Sequence, residues 1–258
     1  MKRPLSVVIT VRNEEKHIGE LLESLSVQER PFEVVIVDAE STDRTVDVIK
    51  GYMERMDLKL IVRRSSRGGG RNIGVENSKY DYVVFTDGDI IVSDRWLQEM
   101  RRSIDEGYDV VAGKTLQIGN EKFAALDRVE LIYYGFDATF PSCNLAYRKD
   151  LFMKLGGFDE SFITAEDIDL NMRALAAGAK FHYNENAVVY HRTRDDFISF
   201  LKQAFWNGYG RKQLTRKHGN LWRHYSLRNM FSRDKISFYG LARLGFAFIG
   251  YTYAKVIE

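Results

Sequence analysis

The feature that most constrains the fold is the alternation of short apolar runs with amphipathic segments across roughly the first 110 residues. The runs are rich in β-branched residues, as is typical of strands buried on both faces of a sheet. Between the first two runs, Ile18, Leu21, Leu22 and Leu25 recur at the spacings of one helix face. Strands that alternate with helices predict βαβ units around a mostly parallel sheet. The predicted strands cover residues 5–11, 32–37, 58–62, 81–86 and 109–112.

The pattern is less regular after residue 112. We predict a helix over 121–136, a strand over 143–147, a helix over 165–177 and a last strand over 187–190. A further helix, over residues 41–56, has N-cap candidates at its start. The fold class predicted from these elements is α/β, with a mostly parallel central sheet in one domain.

Charge divides the chain into two unlike parts. The whole sequence has a formal net charge of +2, but residues 197–258 contain eleven Lys and Arg against two Asp and Glu. Residues 1–196 contain 27 Lys and Arg against 34 Asp and Glu. An acidic body with a charge of −7 therefore precedes a basic tail with a charge of +9. We predict one domain over 1–194 and a basic, aromatic-rich helical extension over 195–258.

The composition of the tail favours a charged partner surface. It ends in an apolar and aromatic stretch at 244–254, which is shorter than the roughly 20 residues needed to cross a bilayer. Basic residues interleaved with aromatic ones suit the interface of an anionic membrane. Packing of the tail on the domain, or a homo-oligomer contact, are the alternatives. No nucleic-acid partner is expected, because no recognition motif accompanies the charge. The residues concerned are Arg211, Lys212, Arg216, Lys217, Arg223, Arg228, Arg233 and Lys235, with Trp206, Tyr209, Trp222, Tyr225 and Phe231.

The sequence predicts a cytoplasmic protein, with the tail at the cytoplasmic face of a membrane. A single cysteine, Cys143, excludes an intramolecular disulfide framework and a multi-cysteine zinc site. The first predicted strand begins at residue 5 with no long apolar stretch before it, so neither a signal peptide nor a transmembrane helix is expected there.

Acidic side chains follow three of the predicted strands. Glu14 follows the first, Asp38 ends the second, and Asp87 and Asp89 follow the fourth. Ligands of open α/β sheets bind at the carboxyl ends of the strands. Carboxylates that meet there repel one another unless a cation compensates, and Mg²⁺ or Mn²⁺ bridging a diphosphate would suit their hard oxygens. The alternative is that Asp38 and the Asp-Gly-Asp sequence only form turns.

The glycine-rich segment 68–74 is interpreted as a connection between strands. It is not a dinucleotide fingerprint, because it follows the third strand and lacks the required glycine at position 73. Its glycines allow close approach to a ligand, with Arg71 as a fork for phosphate. A flexible surface turn is the alternative.

Glu166 and Asp167 begin a predicted helix. A carboxylate at a helix N-terminus has its anionic form favoured and is a usable general base. The alternative is a capping box, in which Thr164 and Asp167 only satisfy backbone donors. His191 ends the last predicted strand and is either a further metal ligand or a structural histidine.

Taken in order, these motifs resemble those of glycosyltransferase family 2, the inverting nucleotide-sugar transferases with the GT-A fold. The resemblance covers residues 4–191 and not the tail. It is carried by Ser6-Val-Val-Ile-Thr-Val-Arg-Asn-Glu14, Val37-Asp-Ala-Glu-Ser-Thr-Asp43, Gly70-Arg-Asn-Ile-Gly74, Asp87-Gly-Asp89, Asn144-Leu-Ala-Tyr-Arg148, Gly156-Gly-Phe-Asp-Glu160 and Glu166-Asp167.

The resemblance implies an enzyme that transfers sugar from a UDP- or GDP-sugar to a glycan hydroxyl or a polyprenyl phosphate. Asp167 would be the catalytic base, and Asp89, with His191, would hold Mn²⁺ or Mg²⁺. Asn144 and Glu166 would lie near the acceptor and the sugar. The implied nucleotide-binding residues are Thr10, Arg12, Glu14, Asp38, Arg71 and Asp87.

Two other functions compete with this interpretation. A sugar-1-phosphate nucleotidyltransferase has a similar α/β architecture and also uses a metal. It would need a glycine-rich phosphate loop near the N-terminus, and the segment after Val11 lacks one. A non-catalytic module that binds sugar nucleotides or glycans is the other alternative. The carboxylates at 87, 89 and 167 argue against such a module.

Overall fold

The structure is a computed structural model that describes residues 2–120, 126, 129–193, 196–225 and 237–257. The strands are β1 Leu5–Val11, β2 Phe32–Asp38, β3 Leu58–Val62, β4 Tyr82–Asp87, β5 Ile90–Val92, β6 Val110–Ile118, β7 Ile132–Tyr133, β8 Phe136–Asp137, β9 Leu145–Arg148 and β10 Phe181–Arg192. Eight of them form a central sheet in the order β3-β2-β1-β4-β9-β6-β10-β5, and β7 and β8 form a separate two-stranded sheet.

Helices cover both faces of the large sheet. One buried apolar cluster joins its strands to the helices Ile18–Ser26, Thr45–Lys50 and Trp96–Asp105. Another joins them to the helices Arg67–Glu76, Lys149–Lys154 and Glu166–Ala176. Val7 and Ile9 of β1 belong to the first cluster and Val8 to the second, as the alternation of a strand requires. The helices are α1 Ile18–Ser26, α2 Thr45–Lys50, α3 Arg67–Glu76, α4 Trp96–Asp105, α5 Lys149–Lys154, α6 Glu166–Ala176, α7 Phe197–His218 and α8 Phe238–Ile257.

The strand register gathers the predicted acidic strand ends at one edge. In the large sheet, β9 and β5 run against the direction shared by the other six strands. Val11 lies beside Asp38, and Thr10 lies beside Asp87. The predicted α/β class with a mostly parallel sheet is therefore confirmed.

Several predicted elements differ from the structure. The glycine-rich segment is the helix α3 rather than a connection, because its glycines fit closely against neighbouring side chains. The helix predicted over 121–136 is wrong in its described part, where β7 and β8 form a short hairpin; residues 121–125 and 127–128 lie outside the described residues. A 3-10 turn at Ser142–Asn144 occupies the start of the strand predicted over 143–147.

The described part of the tail forms a helical hairpin that packs on the domain. Leu214 of α7 shares a buried cluster with Ile168, Met172 and Leu175 of α6. At the crossing with α8, a Cβ on Gly208 would overlap the carbonyl of Ala247, so only glycine permits this approach. The boundary between the predicted domain and its extension lies at residues 194–195, outside the described residues. Arg228, Phe231, Arg233 and Lys235 also lie outside them.

None of the helices in the described ranges combines the length and apolar character that crossing a membrane requires.

Candidate active site

An open cleft of about 690 Å³ lies at the carboxyl edge of the sheet. Glu14, in the loop after β1, and Asp89, in the turn after β4, line it from the domain side. Residues from the first half of α7 line it from the other side. Two of the predicted site residues therefore face one cavity, and the helical extension completes its wall.

The loops after β1 and β2 are held together by hydrogen bonds. Asn13 adopts a left-handed backbone conformation with φ of 56°, and its side chain accepts from the Thr42 backbone N–H at 2.8 Å. The Glu14 backbone N–H donates to Thr45 Oγ1 at 2.7 Å. These contacts fix the position at which Glu14 enters the cleft.

Asp38 is fully buried at the end of β2. Its carboxylate accepts from the Ser41 backbone N–H at 2.8 Å and from Ser41 Oγ at 2.5 Å. The turn-forming alternative considered for this residue is therefore realised. Of the other predicted nucleotide contacts, Arg12 is exposed and Thr10 is partly buried.

Arg71 is a buried bridge between two carboxylates. Its side chain is 1% exposed; Nη1 lies 2.9 Å from Glu166 Oε1, and Nη2 lies 2.6 Å from Asp87 Oδ1. The Phe158 ring lies 5.5 Å from its guanidinium carbon. The predicted phosphate fork is thus corrected, because both terminal nitrogens already bind protein carboxylates. The role that the geometry gives Arg71 is to hold Asp87 and Glu166 in place.

The charges of this bridge depend on one another. Burial opposes the charge on Arg71, but Asp87 and Glu166 outweigh it and raise the pKa of Arg71 above its usual value. Burial and the neighbouring Asp167 carboxylate raise the pKa of Glu166, while Arg71 acts to lower it. The guanidinium is therefore the group that keeps two acidic side chains together in a largely dry site.

Replacing Arg71 by leucine is expected to destabilise the protein by about 3–5 kcal/mol, because it leaves buried carboxylate without its cation. Urea unfolding followed by circular dichroism would measure the loss. Arg67→Leu, one turn earlier on α3 and at an exposed position, is the matched control and should change stability by no more than about 0.5 kcal/mol. Equal losses in the two variants would contradict the bridge.

Asp89 and His191 face each other at the edge of the sheet. His191 Nε2 lies 3.4 Å from Asp89 Oδ2, and the two side chains are 23% and 21% exposed. The antiparallel pairing of β10 with β5 places His191 beside Ile90, the residue after Asp89. Burial opposes a proton on His191, but hydrogen bonds to Asp89 and Cys143 outweigh it and raise the pKa of His191 well above its usual value.

This pair fits the donor set of a divalent cation. A carboxylate oxygen and the nitrogen of a neutral imidazole are both ligands of divalent metals, so a cation at this site would replace the proton that His191 otherwise favours. Within the described residues, no cluster of three or more His, Cys, Asp or Glu side chains forms a full ligand set. The two donors of the Asp89–His191 pair are compatible with Mg²⁺ or Mn²⁺, because Mg²⁺ is usually bound by one or two carboxylates together with substrate phosphates and water.

Asp167 lies in the first turn of α6, two residues after a residue with an unusual backbone conformation. Ala165 adopts a left-handed backbone with φ of 67° and caps the helix without a side-chain hydrogen bond. The capping box considered as the alternative, with Thr164 as the cap, is therefore not formed. Asp167 Oδ2 accepts from the Ser142 backbone N–H at 3.1 Å, and Oδ1 accepts from the Ile168 backbone N–H at 2.8 Å. Its partly buried carboxylate is thus oriented against the 3-10 turn at Ser142–Asn144.

Asp169, on the same turn of α6, is fully buried among basic side chains. Its Oδ1 lies 2.7 Å from His218 Nε2 and 2.9 Å from Lys217 Nζ, both at the end of α7. Its Oδ2 lies 2.7 Å from Arg173 Nη2. Burial alone would raise the pKa of Asp169, but these partners lower it below its usual value. This Asp169 cluster fastens the end of α7 to the turn that carries Asp167.

The side chain of Asn144 is fully buried, and its oxygen and nitrogen are both hydrogen-bonded. Its Oδ1 accepts from Trp96 Nε1 at 2.8 Å, and its Nδ2 donates to the carbonyls of Lys114 and Ala187, each at 3.0 Å. The geometry therefore assigns Asn144 to holding the 3-10 turn, between Asp167 on one side and the Cys143 contact with His191 on the other.

The family to which this chain belongs follows from comparison with known proteins. A family model described as Glycosyl transferase family 2 matches residues 6–155, which is more than half of the 258 residues. The chain belongs to glycosyltransferase family 2. A model described as Glycosyl transferase family group 2 matches residues 83–256 and so extends over the described part of the tail.

Several named glycosyltransferases share modest identity with this chain. Glycosyltransferase AglE of Haloferax volcanii is 27% identical over 226 residues, which cover 81% of this chain and 73% of AglE. Poly(ribitol-phosphate) beta-N-acetylglucosaminyltransferase TarS of Staphylococcus aureus is 35% identical over 112 residues, or 41% of this chain and 20% of TarS. The pre-mycofactocin glycosyltransferase of Mycobacterium tuberculosis is 27% identical over 80% of this chain and 46% of its own length. The chain thus matches less than half the length of two of these relatives.

Solved structures show the same fold. S. aureus TarS 1–349 in complex with UDP-GlcNAc superposes with a TM-score of 0.64 at 25% identity, covering 83% of this chain and 67% of TarS 1–349. The mannosyltransferase PcManGT from Pyrobaculum calidifontis, in complex with GDP-Man and Mn²⁺, superposes with a TM-score of 0.70 at 18% identity, covering 100% and 76%. The GT-A fold predicted from the glycosyltransferase family 2 motifs is confirmed.

Sequence reasoning missed the part of the cleft that α7 supplies. Ser199, Lys202, Gln203, Trp206 and Asn207 line it opposite Asp89. The sequence shows the mixture of basic and aromatic residues in the tail, but nothing in it indicates that this helix returns to the strand ends. Arg67, at the start of α3, also lines the cleft and was not predicted.

Proposed function

We propose that this member of glycosyltransferase family 2 transfers a sugar from a nucleoside diphosphate sugar to an acceptor, with inversion at the anomeric carbon. The observation that carries the proposal is the placement of two functional groups around the 3-10 turn at Ser142–Asn144. Asp167 contacts this turn through the Ser142 N–H, and the Asp89–His191 pair contacts it through Cys143. A candidate base and a candidate metal site thus flank the same short segment.

Donor binding is assigned to the loops after β1, β2 and β4. By resemblance to the family motifs, Thr10, Arg12 and Glu14 would hold the base and ribose, while Asp38, buried and bonded to Ser41, would shape the turn beside them. This assignment is supported by the register of β1 with β2 and β4, which brings Thr10, Asp38 and Asp87 to the carboxyl ends of neighbouring strands, where α/β folds bind nucleotides. Asp87, held by Arg71, would lie near the ribose or the sugar.

Asp89 and His191 would hold Mn²⁺ or Mg²⁺ at the diphosphate. A bound divalent cation would neutralise the negative charge that develops on the departing nucleoside diphosphate. The contribution of the protein is to keep the Asp89 carboxylate and the His191 ring facing each other at the rim of the donor site.

Asp167 would act as the general base for a hydroxyl acceptor. The acceptor oxygen forms a bond to the anomeric carbon as the bond from that carbon to the diphosphate breaks, and the hydroxyl proton passes to the Asp167 carboxylate. The backbone donors of Ser142 and Ile168 hold the carboxylate in one orientation. A phosphate acceptor is already ionised and would need this base far less.

The names of relatives point to two acceptor classes. TarS is named for a poly(ribitol-phosphate) substrate. A Methanococcus voltae relative, 24% identical over 238 residues, is named for a dolichyl-linked sugar phosphate. For this chain we propose a glycan hydroxyl or a lipid-linked phosphate as the acceptor.

The proposal is tested by a screen of UDP- and GDP-sugars with Mn²⁺ or Mg²⁺, with and without glycan and polyprenyl phosphate acceptors. Release of nucleoside diphosphate that rises when an acceptor is added is the expected result, together with a product of inverted anomeric configuration. Release of pyrophosphate from a sugar 1-phosphate and a nucleoside triphosphate would instead identify a nucleotidyltransferase. Binding of a sugar nucleotide without turnover would identify a binding module.

A further inference from the structure

The outward side of α8 carries five large apolar residues that are exposed. We define the α8 apolar face as Phe238, Leu241, Phe248, Ile249 and Val256, whose exposed fractions are 70%, 59%, 69%, 50% and 83%. At 3.6 residues per turn these positions fall within about 100° of the helix circumference. An apolar stripe of that width is what an amphipathic helix normally turns toward a core. Here the stripe points away from the protein.

The opposite side of α8 is already used for packing. Gly250 lies against the carbonyl of Phe205, and the Ala247 carbonyl lies against Gly208. Ala254 is fully buried, and its carbonyl accepts from Arg216 Nη2 at 2.6 Å. Because this side is fixed to α7, rotation of α8 cannot hide the α8 apolar face. A contiguous apolar surface of this kind marks a site of protein or membrane interaction.

The charges around this face are cationic. The structure describes the side chains of two charged residues in α8, Arg243 and Lys255. By helical periodicity Arg243 lies on the side toward α7, and it donates a hydrogen bond to the Leu126 carbonyl. Lys255 is exposed at the flank of the α8 apolar face. Lys212 lies beside α8 with its Nζ 5.3 Å from the Tyr251 ring centroid. Over the whole tail the charge is +9, which attracts an anionic surface and repels an identical tail.

Aromatic rings connect this face with the cleft. Tyr253, 47% exposed on the side of α8, lies 5.5 Å from the Phe205 ring of α7. Phe205 in turn lies 5.3 Å from Trp206, which is 41% exposed and lines the cleft. Trp and Tyr side chains are enriched where protein meets the boundary between water and lipid.

We propose that the α8 apolar face is a membrane-docking surface that inserts into the headgroup region of an anionic bilayer. The apolar face supplies the buried area, the flanking cations supply attraction to anionic lipid, and α7 keeps the helix parallel to the surface. Docking in this orientation presents the Trp206 side of the cleft to the bilayer. The acceptor is then lipid-borne, a consequence that rests on the proposed transferase function.

Vesicle co-sedimentation of the full chain tests the docking. The probes are vesicles of phosphatidylglycerol and phosphatidylcholine in equal parts, and vesicles of phosphatidylcholine alone. We expect binding to the anionic vesicles that weakens with added salt and is much weaker on neutral ones. The double variant Phe248→Glu/Ile249→Glu should lower the partition coefficient about tenfold or more, since it removes two inserted side chains and adds repulsive charge.

The matched control is Val27→Glu/Met153→Glu, which adds the same charge at two apolar positions that are 66% and 49% exposed. Val27 directly follows α1, and Met153 lies in the last turn of α5. It should bind as the unaltered chain does. Failure of the unaltered chain to bind anionic vesicles, or equal losses in both variants, would overturn the proposal. So would a dimer in light scattering that only Phe248→Glu/Ile249→Glu dissociates, because a second copy would then occupy the face. Binding is measured without donor or acceptor, so a negative result would leave the proposed reaction untouched.

Discussion

The Asp167→Asn protein is expected to lose transfer to a hydroxyl acceptor by a factor of about 10²–10⁴, the usual contribution of a positioned general base. Asparagine keeps the size of the side chain and can still accept one of the two backbone hydrogen bonds from Ser142 and Ile168. It cannot take the hydroxyl proton. Initial rates with a glycan acceptor would show the loss in kcat, and isothermal titration with the UDP- or GDP-sugar would show donor affinity retained.

The choice of acceptor provides a second readout for this variant. If the acceptor is a phosphate, which needs no deprotonation, Asp167→Asn should retain most of the transfer activity seen with that acceptor. Asp94→Asn is the control for a lost carboxylate, because Asp94 is exposed just before α4. Full transfer to a hydroxyl by the Asp167→Asn protein would rule out Asp167 as the base.

Asp89→Ala is expected to abolish binding of Mn²⁺ to the complex with nucleoside diphosphate. Transfer should fall on the order of 10²–10³-fold, as when a main stabiliser of developing charge is removed. The carboxylate is the anionic member of the pair with His191, and a neutral imidazole alone is a poor ligand for a hard cation. Electron paramagnetic resonance of added Mn²⁺ measures binding directly, independently of turnover.

His191→Ala should weaken Mn²⁺ binding less than Asp89→Ala does, since it removes the ligand that carries no negative charge. Asp94→Ala, five residues after Asp89, removes an exposed carboxylate from the same part of the chain and should leave Mn²⁺ binding unchanged. A Mn²⁺ signal from the Asp89→Ala protein that matches the unaltered chain would show that the cation is held elsewhere.

The first four strands of the sheet could be predicted from sequence because they follow local rules. The apolar runs at 5–11, 32–37, 58–62 and 81–86 agree with β1 to β4 to within one residue at each end. The helix α3 could not be predicted from sequence, because it is rich in glycine, which has a low helix propensity. Val8 lies against Gly74 and Thr10 lies against Gly70, so that side chains on α3 would clash with β1. Close packing between helix and sheet decides this segment, and the sequence does not show that contact.

The candidate site was predictable only in part, for a similar reason. Carboxylates at strand ends can be assigned from position, because parallel strands bring their carboxyl ends to one edge. The bridge from Arg71 to Glu166 joins residues 95 apart in sequence, and the wall that Trp206 adds to the cleft depends on how α7 folds back. Both features arise from tertiary packing between segments with no shared local pattern.

The Asp169 cluster makes the helical extension part of the folding unit of the transferase domain. Asp169 is fully buried, and two of its partners, Lys217 and His218, come from the end of α7. A chain cut before α7 would leave that carboxylate without those partners and would expose Ile168, Met172 and Leu175, which pack against Leu214. A minimal transferase therefore cannot be obtained by trimming the basic tail at the sequence boundary, and the turn that holds Asp167 would be the first part of the domain to lose its support.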